Sequence, residues 1–162
     1  MKRVLIFTIT IFLLSGCAGN TTGTIYEDDF EKGYVKDWTG GEVQSQYSYA
    51  GSKYALKGIP GSGGFLPLEI WKKFSVNENT KLSFAYYCDY ADNIIVNVWC
   101  NKHKKNYSLT IRRPASRKWM VFTEEMAAFG PDIGGSINSI HISVPNRNNP
   151  LFVVDNVRLY NE

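Results

Sequence analysis

KLSFAYYCDYADNIIVNVWCN, residues 81–101, is the stretch of sequence that decides the fold. Apolar residues alternate with polar or small ones along both halves of it, which is typical of half-buried β-strands. The segment Ala91-Asp92-Asn93 between the two halves has the composition of a turn. We therefore predict an antiparallel hairpin of strands 81–89 and 94–101, in which Tyr90 opposes Ile94.

The register of this hairpin assigns each residue to one of two faces. One face is apolar and is predicted to join the core; it carries Phe84, Tyr86, Cys88, Val96, Val98 and Cys100. The opposite face carries Tyr87 opposite Asn97, and Ala85 opposite Trp99. The same alternation in two later segments points Arg112 and His141 outward.

The predicted register also bears on the cysteines of the hairpin. Cys88 and Cys100 would lie about four residues out of step, or roughly 13 Å along the ladder. A disulfide tolerates Cα separations of only about 7 Å. We therefore predict that both are buried, unpaired thiols.

The rest of the chain indicates short strands separated by turns, with one helical turn at 123–129. About nine strands in a single domain, residues 25–162, favour an all-β fold, a β-sandwich of the jelly-roll type. The predicted strands are 42–49, 53–57, 69–76, 81–89, 94–101, 107–113, 117–123, 137–144 and 151–160.

The first residues follow the plan of a secretory leader. Basic Lys2 and Arg3 precede eleven uncharged residues, which as a helix would reach about half-way across a bilayer core. Residues 14–17, LSGC, resemble the lipobox of bacterial lipoproteins. That resemblance implies a signal peptide at 1–16 and lipid attachment at Cys17, followed by a flexible tether at 17–24.

The lipoprotein resemblance also implies a location. Ala18 is not the aspartate that commonly retains a lipoprotein in the inner membrane. The expected location is therefore the bacterial cell envelope, at the outer membrane if the cell has two membranes.

Charge and motifs exclude several classes of function. Removing Lys2 and Arg3 from the 18 basic residues leaves 16 against 15 acidic ones, a net charge of +1. This balance gives no electrostatic basis for binding nucleic acid.

The sequence contains no nucleophile elbow, zinc-protease motif or phosphate-binding glycine loop, so we predict a protein that is not an enzyme.

Several motifs, in their order along residues 25–160, resemble the galactose-binding-like jelly-roll carbohydrate-binding modules that accompany bacterial glycoside hydrolases. They include Asp28-Asp29-Phe30-Glu31, Gly51-Ser52-Lys53-Tyr54, Lys118-Trp119 and Phe152-Val153-Val154-Asp155-Asn156. The resemblance implies a jelly-roll fold and non-catalytic binding of a poly- or oligosaccharide. Together with the lipobox, it leads us to predict a lipid-anchored sugar-binding protein, and we expect it to be a monomer.

The same resemblance implies a structural calcium ion. The matching ligands are Glu31 and Asp155, with Asp29 as a third, and backbone carbonyls near Gly51 and Ser52 would complete the shell of 6–8 oxygens. The alternative is that the acidic residues at 28–31 are exposed to solvent at the start of a strand and bind no ion.

We predict that the sugar-binding surface consists of the outward residues Tyr87, Asn97, Trp99, Arg112 and His141. An indole can bury its apolar area against the C–H face of a sugar, and Ala85 would leave room beside it. Two alternatives remain open. One is a structural or protein-interaction sandwich of an envelope assembly without a glycan ligand; the other is a small lyase or hydrolase that uses Tyr87, His141 and Arg112.

Overall fold

A computed structural model of the chain describes residues 23–130 and 132–162. Within these ranges the chain forms eleven strands and one helical turn. They are β1 (Gly23–Asp28), β2 (Trp38–Thr39), β3 (Gly41–Gln44), β4 (Ala55–Gly58), β5 (Phe65–Val76), β6 (Thr80–Cys88), β7 (Asn93–Cys100), β8 (Lys105–Arg112), β9 (Lys118–Glu125), α1 (Met126–Phe129), β10 (Gly135–Pro145) and β11 (Phe152–Asn161).

The strands form two antiparallel sheets that face each other as a sandwich. The six-stranded sheet has the order β3-β4-β11-β6-β9, with β1 also paired to β11. The five-stranded sheet has the order β2-β5-β10-β7-β8. This confirms the predicted all-β jelly-roll sandwich, and the described residues from Gly23 onward contain both sheets.

The core lies between the two sheets and consists of inward-facing apolar side chains. Phe84 of the six-stranded sheet stacks on Phe122 at 4.9 Å between ring centroids. Ile70, Val98 and Ile140 of the five-stranded sheet are completely buried opposite them. Such alternation of buried and partly exposed residues runs along β6, β7 and β10, as the sequence predicts.

The predicted hairpin of residues 81–101 is wrong. β6 pairs with β11 and β9 in the six-stranded sheet, whereas β7 pairs with β10 and β8 in the five-stranded sheet. The segment 89–92 is therefore a crossover between the sheets rather than a hairpin turn. Alternation could not reveal this, because two strands present their apolar sides to one core whether they are neighbours in a sheet or face each other across the sandwich.

The assignment of residues to the inward face is correct even though the pairing is not. The six residues predicted to face the core are all buried: Phe84, Tyr86, Cys88, Val96, Val98 and Cys100. At the start of the domain, β1 begins at Gly23, two residues before the predicted boundary, and Gly23 pairs with Asn161. The signal peptide at 1–16 and Cys17 lie outside the described residues.

The two cysteines of the described residues are unpaired and buried, as predicted. They reach this state by lying on different sheets rather than by an offset within one hairpin. Burial, with a smaller contribution from the negative charge of Asp89, raises the pKa of the Cys88 thiol to about 11. The reactive thiolate is therefore scarce at neutral pH.

We expect neither thiol of residues 23–162 to react with a maleimide at pH 7.5 while the domain is folded. Cys88 and Cys100 are about 1% and 0% exposed, so the reagent reaches them only after unfolding. Mass spectrometry should show no adduct in buffer and two adducts per chain in guanidinium chloride. A disulfide, or rapid labelling of the folded protein, would contradict the arrangement.

Candidate functional site

Four aromatic rings form a continuous row on the outer face of the six-stranded sheet. Tyr87 of β6 and Trp119 of β9 are cross-strand neighbours, with ring centroids 5.9 Å apart. The connection 45–54 between β3 and β4 folds over this face and adds one ring at each end of the row. Tyr47 lies 5.1 Å from Tyr87, and Tyr49 lies 5.5 Å from Trp119. We call these four partly exposed rings the aromatic row.

The connection 45–54 is held against the sheet by Asp155 of β11. Asp155 points to the outer side of the sheet, yet it is completely buried because this connection covers it. Its Oδ2 accepts a hydrogen bond from the Tyr49 backbone N–H at 3.0 Å, and its Oδ1 accepts one from the Asn156 N–H at 2.7 Å. The backbone that carries the Tyr49 ring of the aromatic row is thus positioned by a residue far away in the sequence.

A groove of about 310 Å³ lies beside the Tyr49 end of the aromatic row. Ala85, whose small side chain leaves room above the sheet, forms part of its lining. Glu27 and Arg158 form an ion pair at 3.0 Å along one side, and the Ser83 and Thr123 hydroxyls lie 2.8 Å apart near the other. The lining residues are Glu27, Tyr49, Ser83, Ala85, Val121, Asn156 and Arg158.

This surface combines apolar rings with hydroxyl, amide and paired charged groups. Aromatic rings bury apolar area when a ligand's C–H groups lie against them, while the surrounding polar groups orient the ligand through hydrogen bonds. Because Glu27 and Arg158 neutralise each other, the groove has no strong preference for a charged ligand. The arrangement suits a neutral molecule that has both hydroxyl groups and apolar faces.

The outer face of the five-stranded sheet carries four of the five residues predicted to bind ligand. Trp99, Asn97 and His141 lie side by side on β7 and β10, where Asn97 pairs with His141. Arg112 is on the same face but at the far end of the edge strand β8, about 13 Å along the strand from the partner of Asn97.

Tyr87 is not on that surface. It projects from the six-stranded sheet, on the opposite side of the sandwich, so the structure does not bring the five predicted residues together. Ala85, expected beside Trp99, lies instead on β6 near the aromatic row. The outward orientation of Tyr87 and Trp99 is correct, but the crossover at 89–92 sends them to opposite faces.

Sequence reasoning also missed most of the aromatic row. Trp119 enters the sequence analysis only as part of a motif in the predicted strand 117–123, yet its indole is partly exposed and belongs to the aromatic row. Tyr47 and Tyr49 belong to a segment predicted as strand 42–49, but β3 ends at Gln44. The one available signal is the run YSYAGSKY at 47–54, in which a turn-forming glycine follows closely spaced tyrosines.

Two of the three predicted calcium ligands meet at the connection 45–54. Oε1 of Glu31 accepts hydrogen bonds from the backbone N–H groups of Lys53 and Tyr54, at 2.7 and 3.1 Å. Burial raises the pKa of Asp155, and the negative charge of Glu31 adds to this effect, against hydrogen bonds that lower it. Asp29 instead caps the Glu31 N–H and is exposed.

The carboxylate side chains at the connection 45–54 are too few to coordinate a calcium ion by themselves. Among the described residues, no group of three or more His, Cys, Asp or Glu side chains is placed to hold a metal ion. Ser52, whose hydroxyl approaches Asp155, and neighbouring backbone carbonyls would have to supply further oxygens. Two carboxylates with oxygen donors of this kind fit the chemistry of calcium.

A larger cleft, of about 630 Å³, lies at one end of the sandwich between three connections. Tyr90, Asp92 and Arg147 are among its lining residues. The Arg117 guanidinium lies 5.1 Å from the centroid of the Tyr90 ring, so it covers one ring face. The aromatic row offers several neighbouring rings and is the stronger candidate despite its smaller groove.

Comparison with solved structures identifies the fold. TmCBM61, solved in complex with β-1,4-galactotriose, superposes with a TM-score of 0.62 at 14% identity, covering 87% of this chain and 100% of that one. The CBM22-1 xylan-binding domain from Paenibacillus barcinonensis Xyn10C gives 0.57 at 13% identity, covering 89% and 97%. The chain has the jelly-roll fold of carbohydrate-binding modules. The fold implied by the sequence motifs is thus confirmed.

Some similar structures belong to larger enzymes. An exo-β-agarase matches with a TM-score of 0.64 at 13% identity, over 86% of this chain but only 26% of that protein. No family model and no curated protein sequence matches the chain. No helix within the described ranges is long and apolar enough to cross a membrane.

Proposed function

We propose that this domain binds polysaccharide without catalysis, and that the aromatic row with its groove is the binding surface. The observation that carries this proposal is the row itself: four partly exposed rings in succession, one of which, Tyr49, has its backbone held by a buried carboxylate. A ring that is already positioned loses little conformational entropy when a sugar stacks on it. The similar modules described above support this class of ligand, since one was solved with β-1,4-galactotriose and the other is a xylan-binding domain.

The groove supports binding rather than hydrolysis. Glycosidases require two carboxyl groups flanking the scissile bond. Among the residues that line the groove, Glu27 alone is acidic, and it is paired with Arg158. The set considered for a lyase or hydrolase is also dispersed, because Tyr87 lies on one face of the sandwich and His141 on the other.

Affinity electrophoresis of residues 23–162 tests this function. The protein is run through native gels that contain β-1,4-galactan, xylan or agarose, beside a gel without polysaccharide and a non-binding protein of similar size. We expect retardation in at least one gel, with no release of reducing sugar on prolonged incubation. Unchanged mobility in all three gels would contradict the proposal and favour a protein-interaction role.

The structure also supports, as part of the same proposal, a calcium ion between Glu31 and Asp155. The ion would neutralise two carboxylates whose charges otherwise oppose each other, one of them buried. Glu31, Asp155 and Ser52 are the side chains that would hold it. Its effect would be to secure the connection that bears Tyr47 and Tyr49.

Chelation is expected to lower the melting temperature of residues 23–162 by about 5–10 °C, because a metal bound only by the folded state stabilises it by mass action. Asp155→Asn should remove the response to EDTA and to added calcium. Glu42→Gln is the matched control, since Glu42 is an exposed carboxylate paired only with Lys57. A melting curve that is the same with EDTA and with calcium would exclude the site.

Lipid attachment at Cys17 completes the proposal and depends on the sequence motif alone. It would place the domain on the bacterial cell envelope, with the tether giving it reach toward polysaccharide. Replacing Cys17 with serine should move the protein from the membrane fraction to the soluble fraction or leave the leader uncleaved. Normal processing with unchanged membrane association would contradict lipidation.

A further inference from the structure

The outer face of the five-stranded sheet carries a strongly exposed tryptophan. Trp71 of β5 is 69% exposed, the highest value among the large apolar side chains that the structure describes as exposed. Its Nε1–H donates a hydrogen bond to Oε2 of Glu69 at 3.0 Å. The indole is therefore held in a defined orientation while its ring faces stay open to solvent.

A second tryptophan lies in the same cross-strand line. Ser139 of β10 pairs with Trp71 on one side and with Trp99 on the other. The two tryptophans are thus two strand spacings apart, or about 9.5 Å, with a small side chain between them. This leaves a flat strip in which two indoles flank a serine.

A line of polar side chains runs parallel to the two indoles, two residues further along each strand. Glu69, His141, Asn97 and Ser108 succeed one another across four strands. Oε1 of Glu69 lies 3.5 Å from Nε2 of His141, and the Ser108 hydroxyl donates to Oδ1 of Asn97. Directed polar groups are thus fixed beside the aromatic strip.

The chemistry of this face favours a sugar over a protein as its occupant. The centres of protein–protein interfaces are poor in glutamate and serine, yet Trp71 has Glu69 and Ser139 as neighbours. Isolated rings beside fixed polar groups match a ligand whose apolar C–H faces alternate with hydroxyls. The Glu69 carboxylate accepts the Trp71 indole N–H and lies 3.5 Å from His141, so it is already engaged by groups of the surface itself.

We propose that this face is a second polysaccharide-binding surface, so that one domain can bridge two chains. The inference rests on the proposed function, since it assumes that the aromatic row binds the first chain. The two surfaces point away from each other across the sandwich, because they are the outer sides of its two sheets. Two straight chain segments can therefore be held at once.

Turbidity measurements on residues 23–162 test bridging. The probe is soluble β-1,4-galactan or xylan, whichever retards the wild-type protein in a gel. We expect turbidity to rise with added protein and to fall again when protein is in large excess. Trp71→Ala and Trp119→Ala should each abolish turbidity while leaving some gel retardation, and the double variant should show neither. Tyr34→Ala, which removes another exposed ring, should behave as wild type.

The outcomes separate the two proposals. If Trp71→Ala and Trp99→Ala produce the same turbidity as wild type, or if wild type is retarded but never turbid, bridging by this face is overturned while polysaccharide binding stands. If Trp119→Ala loses all retardation, the second surface is likewise overturned. If wild type is retarded by no polysaccharide, the proposed function itself fails. Melting curves of each variant confirm that the fold is intact.

Discussion

Trp119→Ala is expected to weaken binding at the aromatic row by about 10- to 70-fold. Stacking a sugar on the indole removes roughly 60–100 Å² of apolar surface from water, or about 1.5–2.5 kcal/mol at the usual coefficient. The loss also removes the ring that joins Tyr49 to Tyr87, since Trp119 contacts both. Trp119→Phe keeps a smaller ring and should give an intermediate affinity.

The measurement is affinity electrophoresis at a series of polysaccharide concentrations. Met120→Ala is the matched control, because Met120 is 41% exposed and adjacent on the same strand but points to the other side of the sheet. Its binding should stay within about twofold of wild type. Equal binding by Trp119→Ala and Met120→Ala would show that the aromatic row is not the main surface.

Gly40→Ala is expected to destabilise the domain by about 3 kcal/mol or more, or to prevent folding. Gly40 joins β2 of the five-stranded sheet to β3 of the six-stranded sheet, with a φ of +79° that L side chains rarely adopt. A Cβ at this position would lie 2.0 Å from the backbone carbonyl oxygen of Pro67. Neither atom can move without displacing a strand, so the cost exceeds that of the backbone angle alone.

Gly63→Ala separates the two contributions. Gly63 has a nearly identical φ of +77°, but a Cβ there meets nothing within 4 Å. We expect it to cost only about 1 kcal/mol, or a few degrees in melting temperature. Similar melting temperatures for the two variants would show that the strands around Gly40 are not packed as described.

Much of the fold follows from local pattern. Alternation correctly assigns Phe84, Val96 and Val98 to the core, because the two-residue period of a strand is a property of the backbone itself. Turn residues separate most strands at nearly the right places. β2 escapes prediction because two residues are too few to show any period, and its pairing with β5 depends entirely on tertiary contacts.

The candidate site is less accessible to such reasoning. Glu31 and Asp155 are found through resemblance to a family, whereas the aromatic row combines rings from two strands and one connection. Trp119 occurs in an ordinary strand motif, and nothing near it in the sequence shows which sheet it joins. Tyr49 and Tyr87 lie next to Trp119 only because the folded sheet pairs β6 with β9 and the connection 45–54 packs over it.

The sequence by itself determined which side of the strands at 81–89 and 94–101 is buried, and hence that Tyr87 and Trp99 both face outward. Only the tertiary structure decided that they face outward on opposite sides, because a crossover and a hairpin leave the same alternation in the sequence. The same holds for the connection 45–54. The carboxylate of Asp155, 106 residues away, holds Tyr49 in the aromatic row, and a hydrogen bond over that separation leaves no local trace in the sequence.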